Sequence, residues 1–325
     1  MEADTQPLEG VLVVELAWYL PIAFAGSELV RLGARVVRIE PPGGDPLRTT
    51  APAWDRALRA GKESVVCDLK TDVGFALGLC ARADVVLEGL RPGVAARLGI
   101  GADDLPPTLV HCSITGFGTD GPLAQRAGHD LNYLGWAGVL EDTPTWPPVQ
   151  IADLAAGGLG AVTDVLAALV RRARTREGAR VSVSMTHRSH RLIRHRLGEE
   201  PGSRVLTGAL ACYRVYPTAD GRHLTLGALE PKFFARACEL IDRPDLAERQ
   251  FAGAQDELAR ELATAFGRRP LAEWLELFDN EDVCVGPVAT RAEAAAEFGS
   301  PPSADDDVAL GAHTAAWRAA VGAAG

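Results

Sequence analysis

The stretch from Gly10 to Ile39, GVLVVELAWYLPIAFAGSELVRLGARVVRI, decides the fold of this chain. It begins with a short apolar run, residues 10–14, which is typical of a buried strand. Pro21 suits the first turn of a helix, and Gly33 suits the end of that helix. A second apolar run, residues 35–39, follows at once. This strand–helix–strand order predicts a parallel sheet that is covered by helices.

The same alternation continues along the first two hundred residues. Further apolar runs predict strands at 65–67, 84–87, 109–113 and 181–183. Thr71 or Asp72 could cap a helix that follows the first of these strands. The turn after the first strand lacks a GxGxxG pattern, so the sequence does not support a dinucleotide site there. We therefore predict an α/β domain with a doubly wound parallel sheet.

The pattern changes after Pro201-Gly202-Ser203, which is typical of a domain boundary. Two apolar segments on either side of Asp220-Gly221 predict a β-hairpin. Three helices and one more strand are predicted beyond it, at 231–241, 254–267, 270–278 and 283–288. The second part of the chain is therefore predicted to be a smaller α+β domain.

Composition excludes several classes of partner. The chain has 325 residues, 47% of them hydrophobic, and a formal net charge of −10. Such a surface repels nucleic acids and anionic membranes, so we expect neither as a partner. The six cysteines are scattered without paired spacing, which indicates reduced thiols in a cytoplasmic protein. The first ten residues do not resemble a signal peptide, and no apolar run approaches the length of a membrane span.

An imidazole and a carboxylate occupy two predicted junctions between a loop and a helix, at His129 and Asp153. Each has a structural explanation, since Asp153 could cap its helix and His129 could be an ordinary surface histidine. A basic stretch at 187–196 could be a metal site or an anion patch, but a solvated helix face explains it better. No carboxylate or cysteine completes a ligand set there, so we predict no metal site.

Six phrases of the sequence together resemble the family III CoA-transferase superfamily, in particular its α-methylacyl-CoA racemase branch. In chain order they are VVRIEPPGGDP (36–46), GKES with DLK (61–64 and 68–70), LEGLRPGV (87–94), SITGFG (113–118), GHD (128–130) and GALEPKF (227–233). The resemblance extends from residue 8 to about residue 290.

The resemblance implies a two-domain architecture. A large Rossmann-like domain would consist of residues 1–200 with 301–325, and a small α+β domain of residues 201–300. Members of the family resemble two linked rings, so the resemblance also implies an interlocked homodimer with each active site between subunits.

The resemblance implies roles for six residues. His129 and Asp153 match the two acid/base groups of the racemases, and Glu230 matches the carboxylate that orients the histidine. Arg38, Lys62 and Arg91 match the positions that hold the nucleotide end of CoA. Ion pairs with Glu40, Glu63 and Glu88 are the alternative explanation of these three cations. No separate cofactor is expected, because coenzyme A would be part of the acyl-CoA substrate.

The sequence is compatible with three activities. The favoured activity is a racemase or epimerase that moves the α-proton of a 2-substituted acyl-CoA thioester through an enolate. This step needs a group on each face of the carbon, and Asp153 could also supply helix N–H groups to the enolate oxygen. The second activity is a CoA-transferase in which Asp153 is the nucleophile. The third is a specialised homologue that acts on a ligand other than CoA.

Overall fold

The computed structural model describes residues 6–16, 19–142, 144–197, 205–300, 302 and 307–323. The chain divides into two compact units, one of residues 1–194 with 301–325 and the other of residues 195–300. The predicted boundary at Pro201-Gly202-Ser203 lies outside the described residues.

The first unit contains a six-stranded parallel sheet, which confirms the predicted α/β class. The spatial order of the strands is β3-β2-β1-β4-β5-β6. In chain order the strands are β1 Leu12–Leu16, β2 Arg35–Glu40, β3 Glu63–Val66, β4 Val85–Glu88, β5 Val110–Thr115 and β6 Ala179–Ser184.

The order of this sheet reverses between β1 and β4, where Val13 of β1 pairs with Val36 on one side and with Val85 on the other. In open α/β sheets, the crevice beyond the carboxyl ends of the strands at such a reversal is the usual place for a ligand. A ligand is therefore expected next to the loops that follow β1, β4 and β5.

Helices cover both faces of the sheet. In chain order they are α1 Leu20–Arg31, α2 Leu47–Thr50, α3 Pro52–Arg59, α4 Val73–Cys80, α5 Val94–Arg97, α6 Asp130–Trp136, a π-helix Ile151–Leu159, α7 Gly160–Thr175, α8 Met185–Leu192 and, after the second unit, α13 Thr314–Gly322. Leu29 of α1 and Val165 of α7 pack on one face. Leu79 of α4 and Trp317 of α13 pack on the other face.

The π-helix and α7 form one continuous helix, Ile151–Thr175, of 25 residues. This helix is long and apolar enough to cross a membrane by length and composition alone, which corrects the expectation that no run approaches that length. Its residues Ala156, Ala161 and Val165 are buried inside the unit. The helix therefore has protein partners, as the core helix of a globular domain does.

The second unit has a three-stranded antiparallel sheet in the order β7-β8-β9. The strands are β7 Tyr213–Pro217, β8 His223–Gly227 and β9 Val285–Pro287, and the helices are α9 Pro231–Leu240, α10 Gln255–Phe266, α11 Leu271–Phe278 and α12 Arg291–Phe298. The predicted hairpin is present, and Gly221 in its turn has a φ of 74° that favours glycine. Phe234, Leu262 and Trp274 form much of the core.

Candidate active site

Two helices of the first unit begin next to the residues singled out in the sequence. His129 stands directly before α6 with an extended backbone, and Asp153 is the third residue of the π-helix. The two helices pack against each other, and the π-helix also contacts β5 and α1. Asp153 is therefore not the N-cap that a purely structural explanation assumed.

The start of the π-helix is held by a residue from α6. The backbone N–H of Asp153 donates a hydrogen bond to Asp130 Oδ1 at 2.9 Å, and the Ala152 N–H also bonds to this carboxylate. The next N–H, that of Leu154, donates to the Gln150 carbonyl. These three N–H groups are all engaged, so they are not available as the enolate donors that the sequence predicted at this helix.

The Asp153 carboxyl group is in a setting that favours its protonated form. Burial raises the pKa of Asp153 to about 7, and the negative charge of Asp130 contributes to this rise. Burial also raises the pKa of Asp130, against the lowering effect of the two N–H groups that it accepts. A carboxyl group with a pKa near neutrality can both take up and release a proton at physiological pH.

The His129 side chain is exposed, and it forms a capping box with Asn132 at the start of α6. The backbone N–H of His129 donates to Asn132 Oδ1 at 3.0 Å, which fixes the turn into α6. The first N–H groups of that helix, from Asp130 and Leu131, have no partner among the described residues. The imidazole is therefore held in place through its backbone while its ring stays accessible.

Tyr133 supports this turn, a role that sequence reasoning missed. Its hydroxyl donates to the Gly128 carbonyl, and its ring packs edge-on against Phe117 with 5.2 Å between the ring centroids. A Cβ atom at Gly116 or Gly128 would lie 2.4 or 2.8 Å from the ring, so a larger residue at either position would displace it. The signal in the sequence was the occurrence of Gly116 and Gly128 before Tyr133, since both glycines leave room for its ring.

The positive charge of Arg91 acts on the same region of the first unit. It lies in the loop after β4, is exposed, and accepts a hydrogen bond from Val94 through its backbone carbonyl. Burial raises the pKa of Tyr133 to about 12, an effect that Asp153 reinforces and the positive charge of Arg91 opposes. The opposing effect places Arg91 in the electrostatic neighbourhood of Tyr133 and Asp153.

The other two predicted phosphate ligands are deeply buried. The Arg38 guanidinium is 1% exposed and bonds to Asp55 Oδ1 at 3.0 Å and to Asp45. Lys62 is 2% exposed, and its Nζ contacts Glu15 Oε1 at 2.6 Å, Glu15 Oε2 at 2.9 Å and the Ala23 carbonyl at 2.7 Å.

This burial corrects the alternative explanation of both cations as surface ion pairs. The partners are neither exposed nor the glutamates that were expected, and the three donors of the Lys62 ammonium group are all used inside the protein. Of the three predicted cations, only Arg91 presents its charge to solvent in this structure.

Glu230 lies in the second unit, directly before α9, where its side chain is exposed. Its backbone carbonyl accepts hydrogen bonds from Phe233 and Phe234 at the start of that helix. Its role as the partner of His129 stays a prediction.

The basic stretch 187–196 forms most of α8 and the short helix after it. Arg188 pairs with Asp164, and the His190 ring is within hydrogen-bond distance of the Ala137 carbonyl at 3.1 Å. Within the described ranges, no group of three or more His, Cys, Asp or Glu residues is arranged to hold a metal ion.

Comparison with known proteins places these observations in one family. A family model described as CoA-transferase family III matches residues 8–299. The α-methylacyl-CoA racemase of Mus musculus is 34% identical over 309 residues, which cover 88% of this chain and 79% of the racemase. The acetyl-CoA:oxalate CoA-transferase of Acetobacter aceti is 33% identical over 324 residues, which cover 89% of this chain and 82% of the transferase.

A solved structure shows the same architecture. The crystal structure of a CaiB/BaiF family protein from Brucella suis superimposes with a TM-score of 0.79 at 27% identity, covering 98% of this chain and all of that chain. The predicted family is confirmed. Racemases and CoA-transferases match this chain at similar sequence identity, so the comparisons do not decide between the two reactions.

Proposed function

Because the chain belongs to CoA-transferase family III, we propose that it racemises or epimerises 2-substituted acyl-CoA thioesters, of the 2-methyl type. The α-proton moves through an enolate, and His129 and Asp153 are the acid/base groups on the two faces of the α-carbon. The acyl-CoA ester is the substrate, and the reaction needs no separate cofactor.

One observation carries this choice: the pKa of Asp153 is raised to about 7 by burial and by Asp130. General acid/base catalysis is most effective when the pKa of the group lies near the working pH. A carboxylate nucleophile, in contrast, gains nothing from a proton that must first be removed. The setting of Asp153 therefore favours proton transfer over attack on the thioester carbonyl.

The mechanism assigns complementary protonation states to the two groups. For one enantiomer, Asp153 takes the α-proton while the His129 imidazolium supplies a proton to the opposite face. For the other enantiomer, His129 takes the proton and the Asp153 carboxylic acid supplies one. Glu230 is assigned to orient His129 and to stabilise its charged form, as the carboxylate partner of a catalytic histidine does.

The enolate oxygen needs hydrogen-bond donors, and the N–H groups at the start of the π-helix are occupied. The N–H groups of Asp130 and Leu131 lack a partner among the described residues and follow His129 directly, so this proposal assigns them as the donors. Arg91 is assigned to the phosphates of CoA. Arg38 and Lys62, with their charges neutralised internally, are assigned to the framework.

Two alternatives make different predictions. A CoA-transferase would use Asp153 as a nucleophile, and the relative from Acetobacter aceti supports that interpretation. A homologue acting on a ligand other than CoA would account for the internal pairing of Arg38 and Lys62. CoA binding separates this last alternative from the other two.

The experiment follows α-proton exchange by NMR in D₂O with single enantiomers of 2-methylacyl-CoA esters and no free carboxylate. Deuterium uptake with loss of optical purity is the expected result. Transfer of CoA to an added carboxylate, without exchange in its absence, would instead assign Asp153 as the nucleophile. An ester that binds and undergoes neither reaction would exclude both enzymatic activities for that class of substrate.

We also propose that the protein is a homodimer in the cytoplasm. Several large apolar side chains of the first unit are exposed, including Trp146 at 72% and Trp136 at 54%. Exposed apolar groups of this size are typical of interaction surfaces. Light scattering should give twice the mass of the 325-residue chain, whereas the mass of one chain would contradict the dimer.

The proposed location in the cytoplasm is supported by the cysteines. All six are free thiols, as is usual for proteins in a reducing compartment.

A further inference from the structure

The outer edge of the parallel sheet is covered by the end of the chain. β3 is the edge strand on that side, so the backbone groups that it turns away from β2 need other partners. The C-terminal segment, residues 307–323, supplies them. The Ser64 N–H donates to Nδ1 of His313 at 3.2 Å, and the His313 N–H donates to the Ser64 carbonyl at 3.0 Å. The Val66 N–H donates to Thr314 Oγ1 at 2.9 Å.

The turn before His313 lies very close to β3. A Cβ atom at Gly311 would be 2.9 Å from Cγ2 of Val66 and 3.1 Å from Oγ1 of Thr314, and the φ of 71° at this position also favours glycine. The Gly311 N–H donates to Ser64 Oγ at 2.9 Å. His313 is therefore held against the strand by contacts on both sides of it in the chain.

The bond from Ser64 requires one protonation state of the His313 ring. A backbone N–H can only donate, so Nδ1 must accept with its lone pair, and the ring must be neutral with its proton on Nε2. Protonation places a hydrogen on Nδ1, so that two donors face each other. His190 has the opposite arrangement, because its Nδ1 faces the Ala137 carbonyl at 3.1 Å, and a protonated ring donates to that acceptor.

The charged groups around His313 do not compensate for the loss of this bond. Glu63 of β3 interacts electrostatically with His313 and would attract an imidazolium. The Glu63 carboxylate is already bound by Arg35 of β2 at 2.5 Å and by the indole N–H of Trp317 at 2.6 Å. Its negative charge is therefore balanced within the sheet, and the unpaired Ser64 N–H is the dominant effect of protonation.

The same segment covers a group of buried charges. Arg48 and Arg59 both donate to the Val308 carbonyl. Arg48 also binds Glu40 at 2.6 Å, and Glu40 accepts a hydrogen bond from the Ser64 hydroxyl at 2.7 Å. Arg59 and Glu40 are shielded from water in this arrangement. Release of the segment would therefore expose these charges as well as the edge of the sheet.

We propose that His313 is a pH-sensitive switch: the neutral ring holds the C-terminal segment against β3, and protonation of the ring releases it. The closed state is lost as the pH falls, because only the released segment accommodates the imidazolium, and it returns as the pH rises. Histidine suits this role because its charge ordinarily changes between about pH 5 and 8. The proposal concerns the first unit alone and does not depend on the proposed function.

Hydrogen–deuterium exchange of the full chain, followed by mass spectrometry, tests the switch. Protection factors, corrected for intrinsic exchange rates, are compared at about pD 8 and about pD 5.5 for the regions 62–68 and 307–323. Both regions should lose roughly tenfold in protection at the lower value, since an unpaired buried donor costs about that much. The central strand β5 should keep its protection. Unchanged protection of 62–68 and 307–323 at the two values would overturn the proposal.

Two variants identify the group that titrates. His313→Asn keeps an oxygen that can accept the Ser64 N–H but does not titrate, so its protection at 62–68 should be equal at the two pD values. His190→Asn is the matched control and should show the wild-type fall. A fall of wild-type size in His313→Asn, or its absence in His190→Asn, would overturn the proposal. Low protection of His313→Asn at both values, with the fall present in the wild type, would support it, because the imidazole itself would then hold the segment.

Discussion

The carboxylate of Asp130 accepts the backbone N–H of Asp153 at 2.9 Å, so the residue after His129 anchors the helix that carries the second proposed acid/base group. The two residues are 23 positions apart in the chain. One carboxylate thus fixes the relative position of two helix starts and, through its charge, raises the pKa of Asp153. Asp130 therefore influences both the position of Asp153 and the protonation of its carboxyl group.

The Asp153→Asn variant should lose racemisation and yet be more stable than the wild type above pH 7. The pKa of Asp153 is raised from 3.8 to about 7 in the folded protein, so the folded state keeps a proton that the unfolded state has released. Wild-type stability therefore falls as the pH rises from about 4 to 7, by on the order of 2–4 kcal/mol, and asparagine escapes this loss. Melting temperatures of both proteins at pH 5 and pH 8 check this, and an equal difference at the two pH values would count against the raised pKa.

Replacement of Asp130 should separate its two effects. Asp130→Asn keeps an acceptor for the Asp153 N–H but removes the charge, so the pKa of Asp153 should fall and the corresponding limb of the kcat/KM profile should move to lower pH. Asp130→Ala removes the acceptor as well and should cost about 1–2 kcal/mol of stability. Identical pH profiles for wild type and Asp130→Asn would show that the charge of Asp130 has no influence on catalysis.

Arg91→Ala should weaken binding of CoA about tenfold without a change in melting temperature, because an exposed cation contributes to phosphate binding but little to stability. The loss should be greatest at low salt. Arg97, which is also exposed and ends α5, provides the control, and Arg97→Ala should bind CoA as the wild type does. If calorimetry finds equal affinities for the Arg91 variant and the wild type, Arg91 is not a phosphate ligand.

Lys62→Met should destabilise the first unit, because it leaves Glu15 buried without a partner. Breaking a buried pair in this way costs about 3 kcal/mol, which is several degrees in melting temperature. The double variant with Glu15→Gln should recover much of this loss. A phosphate-binding role for Lys62 predicts the opposite: normal stability, weaker CoA binding and no rescue by the second substitution.

The sequence predicted the architecture well because strands and helices are local patterns. The run at 35–39 corresponds to β2 at Arg35–Glu40, and the predicted hairpin around Asp220-Gly221 corresponds to β7 and β8. Buried parallel strands need continuous apolar runs, and a tight hairpin needs residues that tolerate positive φ, so both leave clear signals.

The site was predicted less completely because its decisive contacts are not local. Nothing near Lys62 in the sequence points to Glu15, which is 47 positions away. The engagement of the Asp153 N–H by Asp130 and the contact of His313 with Ser64 likewise depend on how separate segments pack. The resemblance to the family singled out His129, Asp153 and Arg91 as predicted site residues, but tertiary structure determines which of their neighbours are free to act.

The central claim is that His129 and Asp153 act on opposite faces of the α-carbon, and stereospecific exchange tests it most directly. His129→Ala and Asp153→Asn would each be incubated in D₂O with the separate enantiomers of a 2-methylacyl-CoA ester, and deuterium uptake would be followed by NMR. Each variant should lose racemisation but retain slow exchange with one enantiomer only, and the two variants should retain opposite enantiomers. Loss of exchange with both enantiomers in both variants, or retention of the same enantiomer by both, would contradict the two-base mechanism.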